Sequence, residues 1–212
     1  MSHYPKEVEE AAKKGDVTVT GMGMSRYELE RNGVLKERVV RDLNERPEIV
    51  APRTASSAGG GEGVGEGKRG EEGQDDLYDA ATCVVSIDYL TQPVAVLASL
   101  RERMRVGGSV HLAVSNRCFP TKAVARWLRV GEEERLQMVG DFLWFAGWRE
   151  VEILVLSDGR MEDEGEGSVG GISGFMRSLG LMGGGCDPLW VVRGRKVEGD
   201  GDGEGKGPGK RI

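Results

Sequence analysis

The stretch Tyr78 to Pro93, YDAATCVVSIDYLTQP, limits what this chain can fold into more than any other. From Ala80 to Ile87 it is apolar at almost every position, so both alternating faces of an extended segment would be greasy. A strand with one wet face alternates; a strand apolar on both faces suits the centre of a parallel sheet with helices above and below. The run then stops on Ser86-Ile87-Asp88-Tyr89. Ligands of open α/β sheets sit beyond the carboxyl ends of the strands. A small polar residue, an acid and a phenol at that point therefore read as pocket-facing.

The flanking sequence predicts strands and helices in alternation. Pro5 to Lys14 predicts a short helix, acids first and lysines last as the helix dipole prefers, stopped by Gly15. Val17-Thr18-Val19-Thr20 predicts a β-branched strand running into Gly21-Met22-Gly23-Met24. Ser25-Arg26-Tyr27-Glu28 has the spacing of a capping box, and its helix should end at Asn32-Gly33. Arg38 to Arg41 predicts a strand that ends in Asp42-Leu43-Asn44. Thr91 as cap and Pro93 in the first turn open a helix. Its stripe is Val94, Leu97, Leu100 and Met104, and Gly107-Gly108 should end it. Val110 to Val114 predicts a buried strand stopping at Ser115-Asn116. A short helix is expected at Ala123 to Arg129, and another after Gly131 that turns Leu136, Val139 and Leu143 inward. Trp144, Phe145 and Trp148 read as core. Arg149 to Leu156 and Asp187 to Val192 complete the strands. The expected fold class is α/β: an open, doubly wound, mostly parallel sheet with helices on both faces and right-handed crossovers. Met24-Ser25, Asp42-Leu43, Ser86 to Tyr89 and Ser115-Asn116 would then share one edge.

Glycine decides how much of the chain can join that sheet. It makes up 34 of 212 residues, about twice the ordinary share, and it is clustered. Gly59 to Asp76, Glu162 to Gly174 and Glu198 to Ile212 are Gly- and acid-rich and cannot offset their own ordering entropy. Residues 1–197 are expected to form one domain, with disordered inserts at about 51–76 and 158–186 and a disordered tail at 198–212. The net charge of −6 is concentrated in the first insert, where six acids face two bases. The acidity thus describes solvated loops.

Several function classes lose support. No basic stripe with interleaved aromatics appears, so nucleic acid is not an expected partner. Cys83, Cys118 and Cys186 are an odd number with no C-x-x-C pair, which argues against a disulfide framework or a metal site and for reduced thiols. Cys83 reads as a small core hydrophobe. The polar start MSHYPKEVEEAAKK is no signal peptide, and no apolar stretch approaches the ~20 residues of a membrane helix. A soluble, cytoplasmic protein is expected.

The run YDAATCVVSIDYLTQP, a helix, then VGGSVHLAVSNRCFPTKA resembles the second half of a class I S-adenosylmethionine-dependent methyltransferase, more narrowly its type 11-like group. The similarity is most specific from Asp79 to Lys122. It extends to SHYP at Ser2–Pro5, GMGM at Gly21–Met24, RDLN at Arg41–Asn44 and DPLWVVRGRK at Asp187–Lys196. The resemblance implies a seven-stranded sheet whose last strand, Asp187–Arg193, is antiparallel. It implies S-adenosyl-L-methionine as cofactor, with Asp42 and Leu43 at the adenine, Met24 and Ser25 near ribose and adenine, and Ser86 and Ile87 under the methionine end. Asp88, Tyr89 and Asn116 would border the pocket of a small-molecule or protein methyl acceptor. The sequence departs from the family in two respects. The first strand and its acidic, small-residue cofactor loop would precede Ser2-His3-Tyr4-Pro5, and Gly21-Met22-Gly23-Met24 offers no acid for the ribose hydroxyls. The expectation is weak or no cofactor binding by these 212 residues.

The plainer readings stand beside these. Gly21-Met22-Gly23 lacks a third glycine, since Arg26 holds that place, so a flexible turn outweighs a dinucleotide fingerprint. His3 reads as exposed and His111 as a packed or hydrogen-bonded strand residue. Asp42 and Asp88 read equally as turn caps. Two functions are carried forward: a methyltransferase of unknown acceptor, and a non-catalytic remnant of that fold acting as an interaction module.

Overall fold

The computed structural model describes residues 4–52, 77–157 and 187–199. The two expected inserts and the tail fall almost wholly outside the described residues, as do His3 and Cys186. No described helix is long and apolar enough to cross a membrane.

The first third of the chain follows its local signals closely. Helix α1 (Lys6–Lys14) carries Glu7 and Glu9 in its first turn and Lys13 and Lys14 in its last. Gly15 closes it at φ 85°, a left-handed conformation that a side chain would strain. Strand β1 (Thr20–Gly23) begins three residues later than the β-branched run suggests, so Gly21-Met22-Gly23 lies in the ladder and not in a turn. Gly21 permits this, because a Cβ there would overlap the buried Leu35 side chain. Helix α2 (Arg26–Glu30) is capped as its sequence predicts: the Ser25 hydroxyl accepts from Glu28 N–H at 3.3 Å. Strand β2 (Glu37–Val40) pairs parallel with β1, Thr20 opposite Glu37 and Gly23 opposite Val40.

The second part departs more often. Strand β3 (Tyr78–Val84) is followed by a single 3-10 turn at Ile87–Tyr89 and helix α3 (Pro93–Glu102). Thr91 does not cap α3; its N–H and hydroxyl both go to Asn44 Oδ1. Gly107-Gly108 does not end α3 but lies inside strand β4 (Met104–Ser115), where Gly107 N–H donates to Lys196 O at 2.7 Å. Met104, placed on the helix stripe by its spacing, opens β4 and is fully buried. Ala123 to Arg129 forms irregular turns and no helix, its Val124 N–H drawn away to Asp88 O at 2.9 Å. Helix α4 (Glu132–Phe145) buries Leu136, Val139 and Leu143 as its pattern predicts. Strands β5 (Arg149–Ser157) and β6 (Leu189–Arg195) follow. Of the aromatic group, Trp148 is core, whereas Trp144 and Phe145 are exposed.

Pairing corrects the expectation of one open, doubly wound, mostly parallel sheet. The described strands form two sheets, β1-β2 and β3-β4-β6-β5. In the larger one β3 and β4 are parallel, and β6 runs antiparallel between β4 and β5. The last strand is thus antiparallel, while β3, β4 and β5 share a direction. The apolar run of β3 is no central strand. It is an edge, with Ala81 and Cys83 turned to the core and Ala80, Thr82 and Val84 exposed. Nothing in residue period reports whether a strand has a neighbour on each side.

The core lies where α4 packs on β5, β6 and α3. Met104, Val110, Leu112, Val139, Leu143, Trp148 and Val192 are its innermost side chains. Each large apolar side chain removed from water contributes roughly 1.5–3 kcal/mol. Burial pushes the Cys83 thiol up to about 11, with the Asp88 charge adding to the rise, so it stays protonated and unreactive at neutral pH. His111 is held by Ser109 Oγ at 3.0 Å; burial and then Arg193 hold its pKa below the ordinary histidine value.

Candidate functional site

Hydrogen bonds gather three strand ends into one rim. After β2 the chain turns at Asp42, whose Oδ1 accepts from Asn44 N–H at 2.8 Å. That turn aims Asn44 at the segment following β3. Its Nδ2 donates to Tyr89 O at 3.1 Å, and its Oδ1 accepts from Thr91 N–H at 2.7 Å and from Thr91 Oγ1 at 3.1 Å. Its carbonyl accepts from Gln92 Nε2 at 3.2 Å. Tyr89 continues the link: its hydroxyl accepts from Phe119 N–H at 3.1 Å, on the loop after β4, and the two rings stand 6.4 Å apart.

The predicted site residues divide accordingly. Asp42, Leu43 and Tyr89 stand half-buried on this rim. Ser86 is exposed and donates to Val84 O at 2.9 Å. Asn116 is exposed beside Ser115, whose hydroxyl accepts from Arg117 N–H at 3.3 Å. Ile87, 2% exposed, is a core residue, which leaves its main chain to serve any ligand. Met24 is 69% exposed, and Ser25 spends its hydroxyl on α2; the β1 tip reaches the rim through β2, Gly23 O accepting from Arg41 N–H at 3.0 Å. Arg117 is engaged by Asp187 at 2.5 Å.

Asp88 lies beneath the rim, 4% exposed, with Oδ2 lacking a protein hydrogen-bond partner. The indole N–H of buried Trp127 likewise has none. Arg135 stacks 5.5 Å over the Trp127 ring and attracts the Asp88 charge, but desolvation dominates and holds the Asp88 carboxyl above its ordinary value. Folding therefore favours the protonated acid. The stability it contributes is full below the ordinary value of 3.8 and is lost as pH rises through the raised folded value. Asp88→Asn is expected to stabilise the fold by roughly 1 kcal/mol at neutral pH, and to change nothing once the medium is acidic enough to protonate both states. Urea unfolding at the two pH values checks this. A variant less stable at neutral pH would show that the carboxylate is held by a partner.

Sequence reasoning placed Asn44 at a strand end but gave it no role, and it passed over Thr91, Phe119 and Trp127 as site-building residues. Asn44 was within reach, since an amide following Asp at a strand exit is suited to bridging two loops. Phe119 acts through its main chain, which carries no side-chain signal.

No protein-family model and no curated protein sequence matches the chain. Solved structures do. A SAM dependent methyltransferase from Archaeoglobus fulgidus superposes with a TM-score of 0.51 at 12% identity, covering 90% of this chain and 81% of that one. A SAM-dependent methyltransferase from Methanosarcina mazei gives 0.43 at 12% identity, covering 89% and 85%. Haemonchus contortus phosphoethanolamine N-methyltransferase 2, in complex with phosphomonomethylethanolamine and S-adenosylhomocysteine, gives 0.44 at 10% identity, covering 89% of this chain and 46% of that one. The chain thus spans less than half of the Haemonchus protein. The first likeness shows the fold, an α/β domain of the S-adenosylmethionine-dependent methyltransferase kind.

Proposed function

We propose that this chain, having that fold, is a methyltransferase-like protein of the type 11-like group whose cofactor place is the rim at the tips of β1 to β4. One observation carries the reading: the Asn44–Tyr89–Phe119 bonds tie the carboxyl ends of β2, β3 and β4 together, where ligands of such sheets rest. Asp42 keeps one carboxylate oxygen on Asn44 N–H and has the other for an exocyclic amine. Leu43 and the exposed Met24 offer apolar surface to a purine, with Ser25 beside them. Ser86 and the Ile87 main chain would lie toward the reacting end, and Asp88, Tyr89 and Asn116 toward the acceptor, a small molecule or a protein. The reading includes neither nucleic acid nor membrane as partner and a cytoplasmic place of work.

These residues fit the adenosine half of S-adenosyl-L-methionine and not its amino-acid half. Asp88 is buried, Arg117 is paired with Asp187, and Gly23-Met24-Ser25 carries no charge. When bound, the cofactor supplies an electrophilic methyl group, so the chain need only orient an acceptor in line and exclude water. S-adenosylmethionine is expected to bind no tighter than ~1 mM, and no better than 5′-methylthioadenosine, which lacks the amino-acid end. Calorimetric titration checks both. Micromolar affinity would overturn the weak grip, and unchanged adenosine affinity in Asp42→Ala would remove Asp42 from the rim's role.

The split between β1-β2 and the larger sheet favours a second reading, a non-catalytic remnant serving as an interaction module. Turnover of labelled methyl groups onto any small-molecule or protein acceptor would exclude it.

A further inference from the structure

The larger sheet has one packed face and one open face. Helices α3 and α4 touch each other and supply Leu97 and Leu143 to the core, which takes Ala81, Cys83, Leu112 and Val192 from the strands. Side chains directly opposite across a ladder point the same way, and neighbours along a strand point opposite ways. On the other face, Thr82, His111, Arg193 and Glu152 therefore stand in one row across the four strands, and Val84, Ala113, Val191 and Leu154 form the next. The first row is polar, as a wet face should be, and Arg193 Nε donates to Glu152 at 2.9 Å. The second is wholly apolar, and Leu189 extends it along β6. Val84 is 58% and Leu154 38% exposed. A helix seated on such a row would bury its apolar side chains, and α1 and α2 bury no residue.

Outside the described residues, the apolar side chains of this sequence are concentrated in one stretch. Residues 1–3, 53–76 and 200–212 have Met1, Val64 and Ile212 as their only large apolar side chains. Residues 172–182, ISGFMRSLGLM, hold six. Ile172, Phe175, Met176, Leu179 and Met182 recur at intervals of three and four, the period that gathers apolar side chains on one side of a segment. This stretch is also tied to the row. It lies between β5 and β6, whose ends Ser157 and Leu189 stand opposite each other, close to Leu154 and Val191. Gly183 to Cys186 alone separate Met182 from Asp187, a reach of at most about 18 Å. The row spans three strand spacings, about 14 Å. Residues 172–182 at a period of 3.6 would measure about 16 Å.

We propose that the apolar row Val84–Ala113–Val191–Leu154 is the seat of the chain's own residues 172–182, with Ile172, Phe175, Met176, Leu179 and Met182 set against it. Arg177 falls on the opposite side of that period and stays in water. The packed face has no room for them near the same strand, because α4 already stands there with Gly140 against Val151. A separate polypeptide would have to compete with a segment joined at both ends beside the row, whose effective concentration is about millimolar. The polar row of Thr82, His111, Arg193 and Glu152 stays uncovered, so no charge is buried.

The test uses the full 212-residue chain with labelled methyl groups and no S-adenosylmethionine, so the seat and the cofactor reading fail separately. Nuclear Overhauser contacts are expected from the methyls of Val84, Val191 and Leu154 to the Phe175 ring and to the methyls of Met176 and Leu179. In a one-to-one mixture of labelled and unlabelled chains, filtered for contacts between the two, these should vanish. The double variant Phe175→Ser, Leu179→Ser should shift the Val84, Val191 and Leu154 signals and leave those of Leu112 and Val192 in place. It should also raise the fluorescence of the dye ANS, which reports exposed apolar surface, about threefold. Absence of contacts between the row and residues 172–182 would overturn the proposal. So would contacts to Ile153 and Val155, which share the packed face with Val192, in place of the row. Contacts that persist between labelled and unlabelled chains would make the occupant a second copy, and unchanged signals and fluorescence in the double variant would leave the row without the proposed cover; either result overturns it. Should the double variant not fold, the contacts in the unaltered chain decide alone.

Discussion

Trp148→Ala is expected to destabilise the fold by about 3–5 kcal/mol, the usual range for emptying a buried aromatic site. Whole domains are stable by only about 5–15 kcal/mol, so much of the variant should be unfolded near physiological temperature. The side chain is fully buried and sits where three elements meet. Its Nε1–H donates to Leu97 O in α3 at 3.0 Å. Its Cβ lies 3.0 Å from where a Cβ on Gly194 of β6 would stand, so β6 closes on it with no slack. It enters β5 directly after the α4 exit, where Gly147 adopts φ 88°. Truncation leaves a cavity that none of these neighbours is free to collapse into. Urea unfolding of Trp148→Ala and Trp148→Phe separates the terms: Phe keeps most of the volume and loses the hydrogen bond, for a loss nearer 1–2 kcal/mol. A loss below about 1 kcal/mol in the alanine variant would mean the site is not the keystone described.

Asn44→Ala is expected to loosen β1-β2 while leaving the larger sheet intact. The side chain makes three hydrogen bonds to the β3 exit. At about 0.5–1.5 kcal/mol each, reduced by partial exposure, their loss should cost about 2 kcal/mol locally. Amide exchange in β1 and β2 should then rise roughly thirtyfold, with β4 and β6 unchanged. Unaltered exchange in β1 and β2 would mean that the Tyr78 hydroxyl on Val50 O holds the pieces together unaided. A uniform rise across all six strands would mean the molecule opens as one unit.

Local chemistry was readable residue by residue. Gly15 and the Ser25–Glu28 box report their own helix ends, because caps depend on residues three or four apart. The Leu136, Val139, Leu143 stripe reports its buried face for the same reason. The polar residues that follow β2 and β3 at Asp42 and Ser86 and end β4 at Ser115 were legible as stops of apolar runs. Asn44 as a bridge, Ile87 and Asp88 as buried residues and Gly107-Gly108 inside β4 were not. Each depends on partners distant in sequence, among them Tyr89, Val124 and Lys196.

By itself the sequence determined where most segments become strand or helix and at which residues most strands stop. Side-chain period, caps and glycine placement are properties of neighbours along the chain. Only the tertiary structure decided that β6 enters between β4 and β5, and that Tyr78 to Val84 ends as an edge of its sheet. Partner choice in a sheet is made by main-chain amides and carbonyls, which are the same for every residue but proline, so no side-chain pattern can announce it.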